Sequence, residues 1–375
     1  MSDIAVVGGG IVGTSVAYHL VDAGEDVILF DAMNDGRATD AGAGIVAAAP
    51  VESSGDWYAF AREAVQYYPE LDAALERRLP NGESTGYARC PLITVDSGGQ
   101  AMAFKTVTTR IRERAEREGY PPTEMIGEIS TSAAQEHVPS LAAVDNAFRS
   151  EATARVDGRR FTDAMRTAAV EDGLRVRKER VKRVTIADDT VSGVITADES
   201  YNASRVVVTA GAWSSGLLAN LGVSVEITPV RGQIAHLGVD ADTAGWEMAQ
   251  DGDGNYLVPW PDGRIVAGAT HESTTGFDAR TTTEGVASVL DNALTLAPGL
   301  ADATLDEVRV GLRPQPPDGK PLLGSISGVD GAFVGTGHGA TGLQLGPYSG
   351  RVLADIVRDR TPPSNVDAFD PSRFA

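Results

Sequence analysis

Cysteine is nearly absent from the 375 residues: Cys90 stands alone, which excludes an internal disulfide and a metal centre built on cysteines. It reads as a small apolar residue in a reducing compartment. Lysine is almost as scarce, with only Lys105, Lys178, Lys182 and Lys320, so arginine supplies the remaining positive charge. The 52 acidic residues outnumber the 32 basic ones and leave a formal net charge of −20. Nucleic acid and anionic membranes require a basic face, so both are excluded as partners. No apolar run reaches membrane-spanning length, and the first strand starts too early for a secretory leader. The expected location is the cytoplasm. Charge governs solubility and not fold, and a carboxylate-rich, lysine-poor surface suits a salt-rich cytosol better than it suits an ordinary acidic protein.

What is present is concentrated in residues 3–31. An apolar run, Ile4 to Val7, is followed at once by Gly8, Gly10 and Gly13 in G-x-G-x-x-G register. Ile11 to Ala23 reads as a helix stopped by Gly24, and a second apolar run ends in Asp31. Gly8 permits a tight turn, Gly10 lets a pyrophosphate approach the backbone, and Gly13 lets helix and strand pack closely. The helix N-terminus at Ile11 and Val12 faces the phosphates, and Asp31, with Ala32 after it, suits the ribose hydroxyls of an adenosine. The unit predicts dinucleotide binding without choosing between NAD and FAD.

Residues 34–49 are too small and glycine-rich for an ordinary connection, and the lack of polar bulk from Ala41 onward predicts burial. Arg37 and Thr39 suit phosphate contact there, while the Asp40 side chain should turn away. Helices are expected over 57–79, 162–171 and 285–296, and a charged, exposed helix over 102–117. Residues 181–186 and 191–196 form a hairpin pair. The continuous apolar strand Val206-Val-Val-Thr-Ala-Gly211 suits a parallel sheet covered on both faces, and the same pattern returns at 332–337. Residues 225–237 and 256–269 belong to a different, antiparallel sheet. Asp251-Gly-Asp-Gly-Asn255 begins like a calcium loop, but Tyr256 occupies the position that demands glycine, so it is a hairpin turn. The expected fold is α/β: a Rossmann-like parallel sheet domain plus an antiparallel-sheet substrate domain, both discontinuous. Residues 1–80, 146–228 and 305–375 are assigned to the first, and 81–145 and 229–304 to the second.

Four further stretches, taken with the amino-terminal unit, identify a resemblance. Thr209-Ala-Gly-Ala-Trp-Ser, Pro229-Val-Arg-Gly-Gln, Gly311-Leu-Arg-Pro-Gln-Pro-Pro-Asp-Gly-Lys-Pro-Leu-Leu-Gly and Gly337-His-Gly-Ala-Thr-Gly-Leu-Gln-Leu-Gly-Pro follow in order. Together they resemble the D-amino-acid oxidase and glycine oxidase family of flavoproteins over nearly the whole chain. The resemblance implies FAD as cofactor. Gly8, Gly10, Gly13 and Asp31 would then hold the ADP half, with Ala210, Gly211 and Trp213 flanking it and the Val181 backbone pairing with adenine. Ala43, Gly44 and Ile45 would run beside the flavin ring. Gly337, His338, Gly339, Ala340, Thr341, Gly342 and Leu343 would lie against its pyrimidine edge, where a helix N-terminus stabilises the charge of reduced flavin.

Arg313 resembles the arginine that grips a substrate carboxylate with its planar fork. Tyr256 resembles a second carboxylate contact, and His271 a residue lining the substrate pocket. His19, His137 and His236 read as structural or exposed. The chain departs from glycine oxidases at Ala340, where they carry an arginine, which weakens a preference for glycine or sarcosine. Covalent flavin attachment needs a cysteine near the final glycine loop; Cys90 is far from it, so FAD should be non-covalent and metal has no role. The implied reaction oxidises the Cα–N bond of an amino acid by hydride transfer to flavin N5. The imino acid then hydrolyses to a keto acid and ammonia. A 2-hydroxy acid or secondary amine as donor, or a flavin-binding subunit needing a partner, are the alternatives. The electron acceptor, oxygen or a quinone or carrier, is open, as is the oligomeric state.

Overall fold

The computed structural model describes residues 3–51, 53, 55–80, 82–96 and 101–374. Its centre is the strand Ile4–Val7, whose four residues are all buried. It runs parallel to Val27–Phe30 on one side and Arg205–Val208 on the other. The full order is Leu322–Ser325, Ala332–Thr336, Arg205–Val208, Ile4–Val7, Val27–Phe30 and Arg175–Arg177, with only the Leu322–Ser325 edge antiparallel. Continuous β-branched runs form these strands because both faces are covered. Ile4 and Val6 join the core built with helices Ile11–Asp22, Asp56–Glu76, Gly158–Glu171 and Gly342–Val357, whereas Ala5 and Val7 face the small sheet of residues 183–202.

Two of those helices, Ile11–Asp22 and Gly342–Val357, cross almost without side chains between them. A Cβ at Gly346 would come within 2.7 Å of Ile11 Cγ2, and one at Gly350 within 2.7 Å of the Val16 nitrogen. Ser15 Oγ donates to the Pro347 carbonyl at 2.7 Å across the crossing. Both helices begin in glycine loops, so the crossing sets those loops side by side.

The second sheet has eight strands, ordered Thr304–Gln315, Thr228–Gly238, Arg264–Gly268, Tyr256–Pro259, Met248–Asp251, Leu92–Asp96, Asn146–Ser150 and Ile126–Ile129. Every neighbouring pair is antiparallel except Leu92–Asp96 with Met248–Asp251. Helix Thr283–Leu296 covers one face through Val289, Ala293 and Leu296. The other face, with Ile234, Val258 and Val266, packs against Ala43, Ile45 and Ala47. The expected hairpins at 183–195 and around 251–255 are present.

The strand pairing crosses the expected partition: Tyr87–Arg89 pairs with Ala154–Val156, and two further strands lie in the other sheet. Asn146–Ser150 and Thr304–Gln315 both pair in the eight-stranded sheet, although their residues were assigned to the cofactor unit. The helix Ala101–Glu118 is also not simply exposed, since it buries Phe104, Thr108, Ile111, Arg114 and Ala115. Arg114 donates to the carbonyls of Ala48, Ala49 and Val51 at 3.2, 2.6 and 2.8 Å and lies 4.0 Å from the Tyr58 ring centre. Carbonyls outside a regular ladder require donors, and the guanidinium provides several in one plane.

His19 sits under the helix crossing. Ser15 O can only accept, so Nδ1 donates to it at 2.7 Å and Nε2 accepts from Tyr67 Oη at 2.7 Å. Burial pushes this imidazole down to about 4, and it is neutral in the folded protein. As pH falls from about 6.5 toward 4 the unfolded chain takes up a proton that the folded chain refuses, so stability is complete above that window and lost within it. The melting temperature should therefore drop between pH 7.5 and pH 5. The drop should shrink in His19→Gln, with His236 and His338, also pushed down to about 4 by burial, accounting for the remainder. An identical slope in the variant would exclude His19 as a contributor.

Candidate active site

A cavity of about 620 Å³ runs between the two sheets, within the size range of small-molecule and cofactor sites. At one end the turn after Ile4–Val7 brings Gly8, Gly10, Ile11 and Val12 to its wall, together with Asp31, Ala32, Arg37 and Thr39. Val181, Ala210, Gly211 and Trp213 continue that wall. Ala43, Gly44 and Ile45 line the middle, opposite His338, Gly339, Ala340, Gly342 and Leu343. At the far end, strands of the eight-stranded sheet contribute Tyr256 and Arg313.

Several features of the walls fit a long phosphorylated ligand. Neither Gly10 nor Thr341, at the starts of the two crossing helices, provides a side-chain cap. First-turn amides and the positive dipole ends thus converge on the cavity, the arrangement that anions require. A Cβ added at Gly10 would meet only Thr39 Oγ1, at 3.1 Å, and would otherwise stand in open space. Gly13 behaves differently: its Cβ would run into the Gly8 carbonyl and Thr209 Oγ1, so it serves helix–strand packing and does not line the cavity.

The carboxylate of Asp31 is already organised. Oδ1 accepts from the Met33 amide at 3.0 Å, while Arg37 Nη1 lies 2.8 Å and Arg166 Nη2 3.6 Å from Oδ2. Arg37 also bonds Asp40, at 2.6 Å. Thr39 Oγ1 accepts from the Ile11 amide at 3.0 Å. Arg37 and Thr39 line the cofactor end of the cavity, where their partners within the chain are Asp31, Asp40 and Ile11. Arg166 was missed. It donates to the Gly9 carbonyl at 2.7 Å from helix Gly158–Glu171, and nothing in its local sequence announces a partner so distant along the chain. Glu179, Arg180 and Lys182 also line the cavity, and their adjacency to Val181 was the available signal.

Arg313 lies over Gly232, where any Cβ would collide with its guanidinium, and Nη1 donates to the Thr270 carbonyl at 2.9 Å. Burial lowers its pKa, partly offset by Tyr256 and Glu272, yet a guanidinium remains charged. None of the ion pairs among the described residues satisfies it. Asp31 and Glu179 are the described carboxylates of the cavity wall, and both have other partners: Glu179 takes a hydrogen bond from Tyr201 at 2.9 Å. Tyr256 is held over Gly268, and burial, countered by Arg313, pushes its phenol up to about 12, so it is a neutral donor.

His271 is not brought to this end: it is exposed and does not line the cavity. The loop after strand Arg264–Gly268 turns away from the site and carries it outward. Gly337 and Thr341 also lie off the wall, Gly337 in a turn with φ +79° and Thr341 closing a helical turn onto the His338 carbonyl at 2.8 Å. His338 is buried, its Nε2 lies 2.9 Å from Ser349 Oγ, and burial pushes it down to about 4, so it brings no charge to the cavity.

A parallel sheet with a glycine-loop phosphate cradle, joined to a second sheet that presents a lone arginine, defines a dinucleotide-dependent oxidoreductase. Residues 3–356 match the DAO family, described as FAD dependent oxidoreductase, and the chain belongs to that family. It is 36% identical to an uncharacterized oxidoreductase of Bacillus subtilis and 32% identical to a glycine oxidase of Pseudomonas aeruginosa. These matches cover 99% of this chain and 99% and 98% of the relatives. The iminodiacetate oxidase of Chelativorans sp. superimposes with a TM-score of 0.92 at 33% identity, covering 98% of both chains. The cofactor is FAD, and the protein is an enzyme of oxidation and reduction.

Gly10→Ala should fold normally yet lose bound FAD, with at least about tenfold weaker retention, because the added methyl occupies ligand space. Flavin absorbance after gel filtration, beside a melting curve, checks this. Full flavin occupancy would show that the phosphates lie elsewhere.

Proposed function

We propose that the protein oxidises the Cα–N bond of an amino acid bearing a single carboxylate, using non-covalent FAD. The observation that carries this is the unpaired Arg313 guanidinium beside Tyr256 at the end of the cavity. A charged fork with no directly bonded carboxylate among the described residues matches a substrate carboxylate, which it would hold with two parallel hydrogen bonds. The neutral Tyr256 hydroxyl adds a donor. The names of the similar glycine oxidase and iminodiacetate oxidase both specify amino carboxylates, which supports an amine and a carboxylate in the substrate but does not set the number of carboxylates.

FAD, when bound, supplies the acceptor for the two electrons, which leave Cα as a hydride. The chain's own part is orientation. Arg313 and Tyr256 would fix the carboxylate so that the Cα–H points along the cavity toward Ala43–Ile45, and apolar Ile45 and Ile234 would keep water away. Among the described wall residues this end has no free carboxylate and no charged histidine, so the amine would enter unprotonated. A substrate with a second cationic group finds no partner among the described wall residues. With Ala340 in the final glycine loop, a second substrate carboxylate finds no guanidinium there either. Cys90 packs in the core of the eight-stranded sheet, away from the cavity wall, which supports non-covalent binding.

Anaerobic bleaching of the flavin by D- and L-amino acids, N-methylglycine and 2-hydroxy acids tests the assignment. Bleaching by neutral monocarboxylic amino acids is expected; bleaching by hydroxy acids alone would replace it. Arg313→Ala should retain FAD and lose about a hundredfold or more in kcat/KM, since the anchor is a charged bidentate contact. The acidic surface suits a salt-rich cytosol. Dialysis to low salt should inactivate the enzyme, and unchanged activity would refute that assignment.

A further inference from the structure

Arg313 has one observed hydrogen-bond partner, the Thr270 carbonyl, so its orientation depends on what holds Thr270. That residue is tied on three sides. Its amide donates to the Gln233 carbonyl at 3.2 Å, its hydroxyl accepts from the Gln233 amide at 3.0 Å, and the same hydroxyl donates to Glu272 Oε1 at 2.7 Å. Glu272 is in turn the hub of the Arg231-Gly-Gln233 stretch. Arg231 Nε and Nη2 donate to Oε2 at 3.0 and 2.5 Å, and Gln233 Nε2 donates to Oε1 at 2.8 Å. The backbones of Arg231 and Glu272 also exchange two hydrogen bonds of 2.9 Å. Burial raises the pKa of Glu272, and the donors from Arg231, Gln233 and Thr270 overcome that and hold it below the usual carboxylate range.

We infer that Glu272 is a positioning residue for Arg313, acting through Thr270: the carboxylate locks the threonine, whose carbonyl aims the guanidinium into the cavity. Gly232 supplies the space the guanidinium occupies, while its neighbours Arg231 and Gln233 fasten the carboxylate. The whole stretch thus serves one orientation. The network takes up one of the guanidinium's donor directions and leaves the others to the substrate, which is how preorganisation lowers the cost of binding.

The inference rests on Arg313 being the carboxylate anchor, and the test separates the two. Thr270→Val, Thr270→Ser and Glu272→Gln are prepared as FAD-loaded enzymes beside Arg313→Ala. KM and kcat are measured with the best donor, and the affinity for propionate is read from the flavin spectrum. Thr270→Val should raise KM and the propionate Kd about tenfold while kcat stays within about twofold. Thr270→Ser should restore both, and Glu272→Gln should shift in the same direction as Thr270→Val. FAD content should be unchanged throughout, which a merely structural role would not give. If Arg313→Ala weakens propionate binding but Thr270→Val does not, the positioning role is overturned. Unrescued loss of FAD or of kcat in Thr270→Ser overturns it as well. If Arg313→Ala leaves propionate binding intact, the anchor itself is wrong and the positioning role falls with it.

Discussion

The contact on which the site most depends is the crossing of helices Ile11–Asp22 and Gly342–Val357, where Gly346, Gly350 and Ser15 let the backbones approach. Each helix alone offers a weak anion site at its amino end. Packed this closely they open onto one cavity, so the phosphate cradle and the second glycine loop share a fixed separation. The parallel strands deliver those loops, but strands alone would tolerate several angles between the helices above them. Excluding side chains from the crossing removes that freedom, because close-packed interiors admit few alternative arrangements.

The two ends of the cavity treat charge in opposite ways. At the Asp31 end, Arg37 and Arg166 meet the carboxylate within the protein, so the local charge is largely balanced before any ligand arrives. At the Arg313 end the cation bonds a carbonyl and faces a neutral phenol, and Glu272 reaches it only through Thr270 and the field between them. A half-buried cation with no directly bonded anion is costly for a folded chain, and on the proposed reading a substrate carboxylate offsets that cost. The asymmetry gives the cavity a direction, and on the proposed assignment the cofactor end is balanced within the chain while the Arg313 end is completed by substrate.

Much of this was legible in the sequence because its signals are local. The glycine spacing from Gly8 to Gly13, the following helix and Asp31 lie within one βαβ unit, and strand–loop–helix periodicity identifies them without tertiary information. Arg313 and Tyr256 were legible only through resemblance, since an isolated strand tyrosine or arginine has no distinguishing pattern. Arg114 and Arg166 were not legible: their partners are backbone carbonyls of distant segments, and a carbonyl leaves no mark in a sequence. That Asn146–Ser150 and Thr304–Gln315 pair in the eight-stranded sheet was not legible for a related reason, as alternation marks a strand but does not say which sheet completes it. His271 was placed in the pocket by the family resemblance, whereas the local turn leaves it exposed and off the cavity wall.

The central strand Ile4–Val7 takes one neighbour from the adjacent unit and the other from Arg205–Val208. During synthesis at ~5–20 residues per second, that second partner emerges about 10–40 s after the first strand. For all that time a fully apolar strand has an unpaired edge, the geometry that recruits foreign strands. The nascent chain must therefore keep a hydrophobic ribbon covered long before its intended neighbour exists, and the excess of acidic over basic residues that builds up along the chain, repelling other copies, already acts during that interval before it reaches −20 in the finished enzyme.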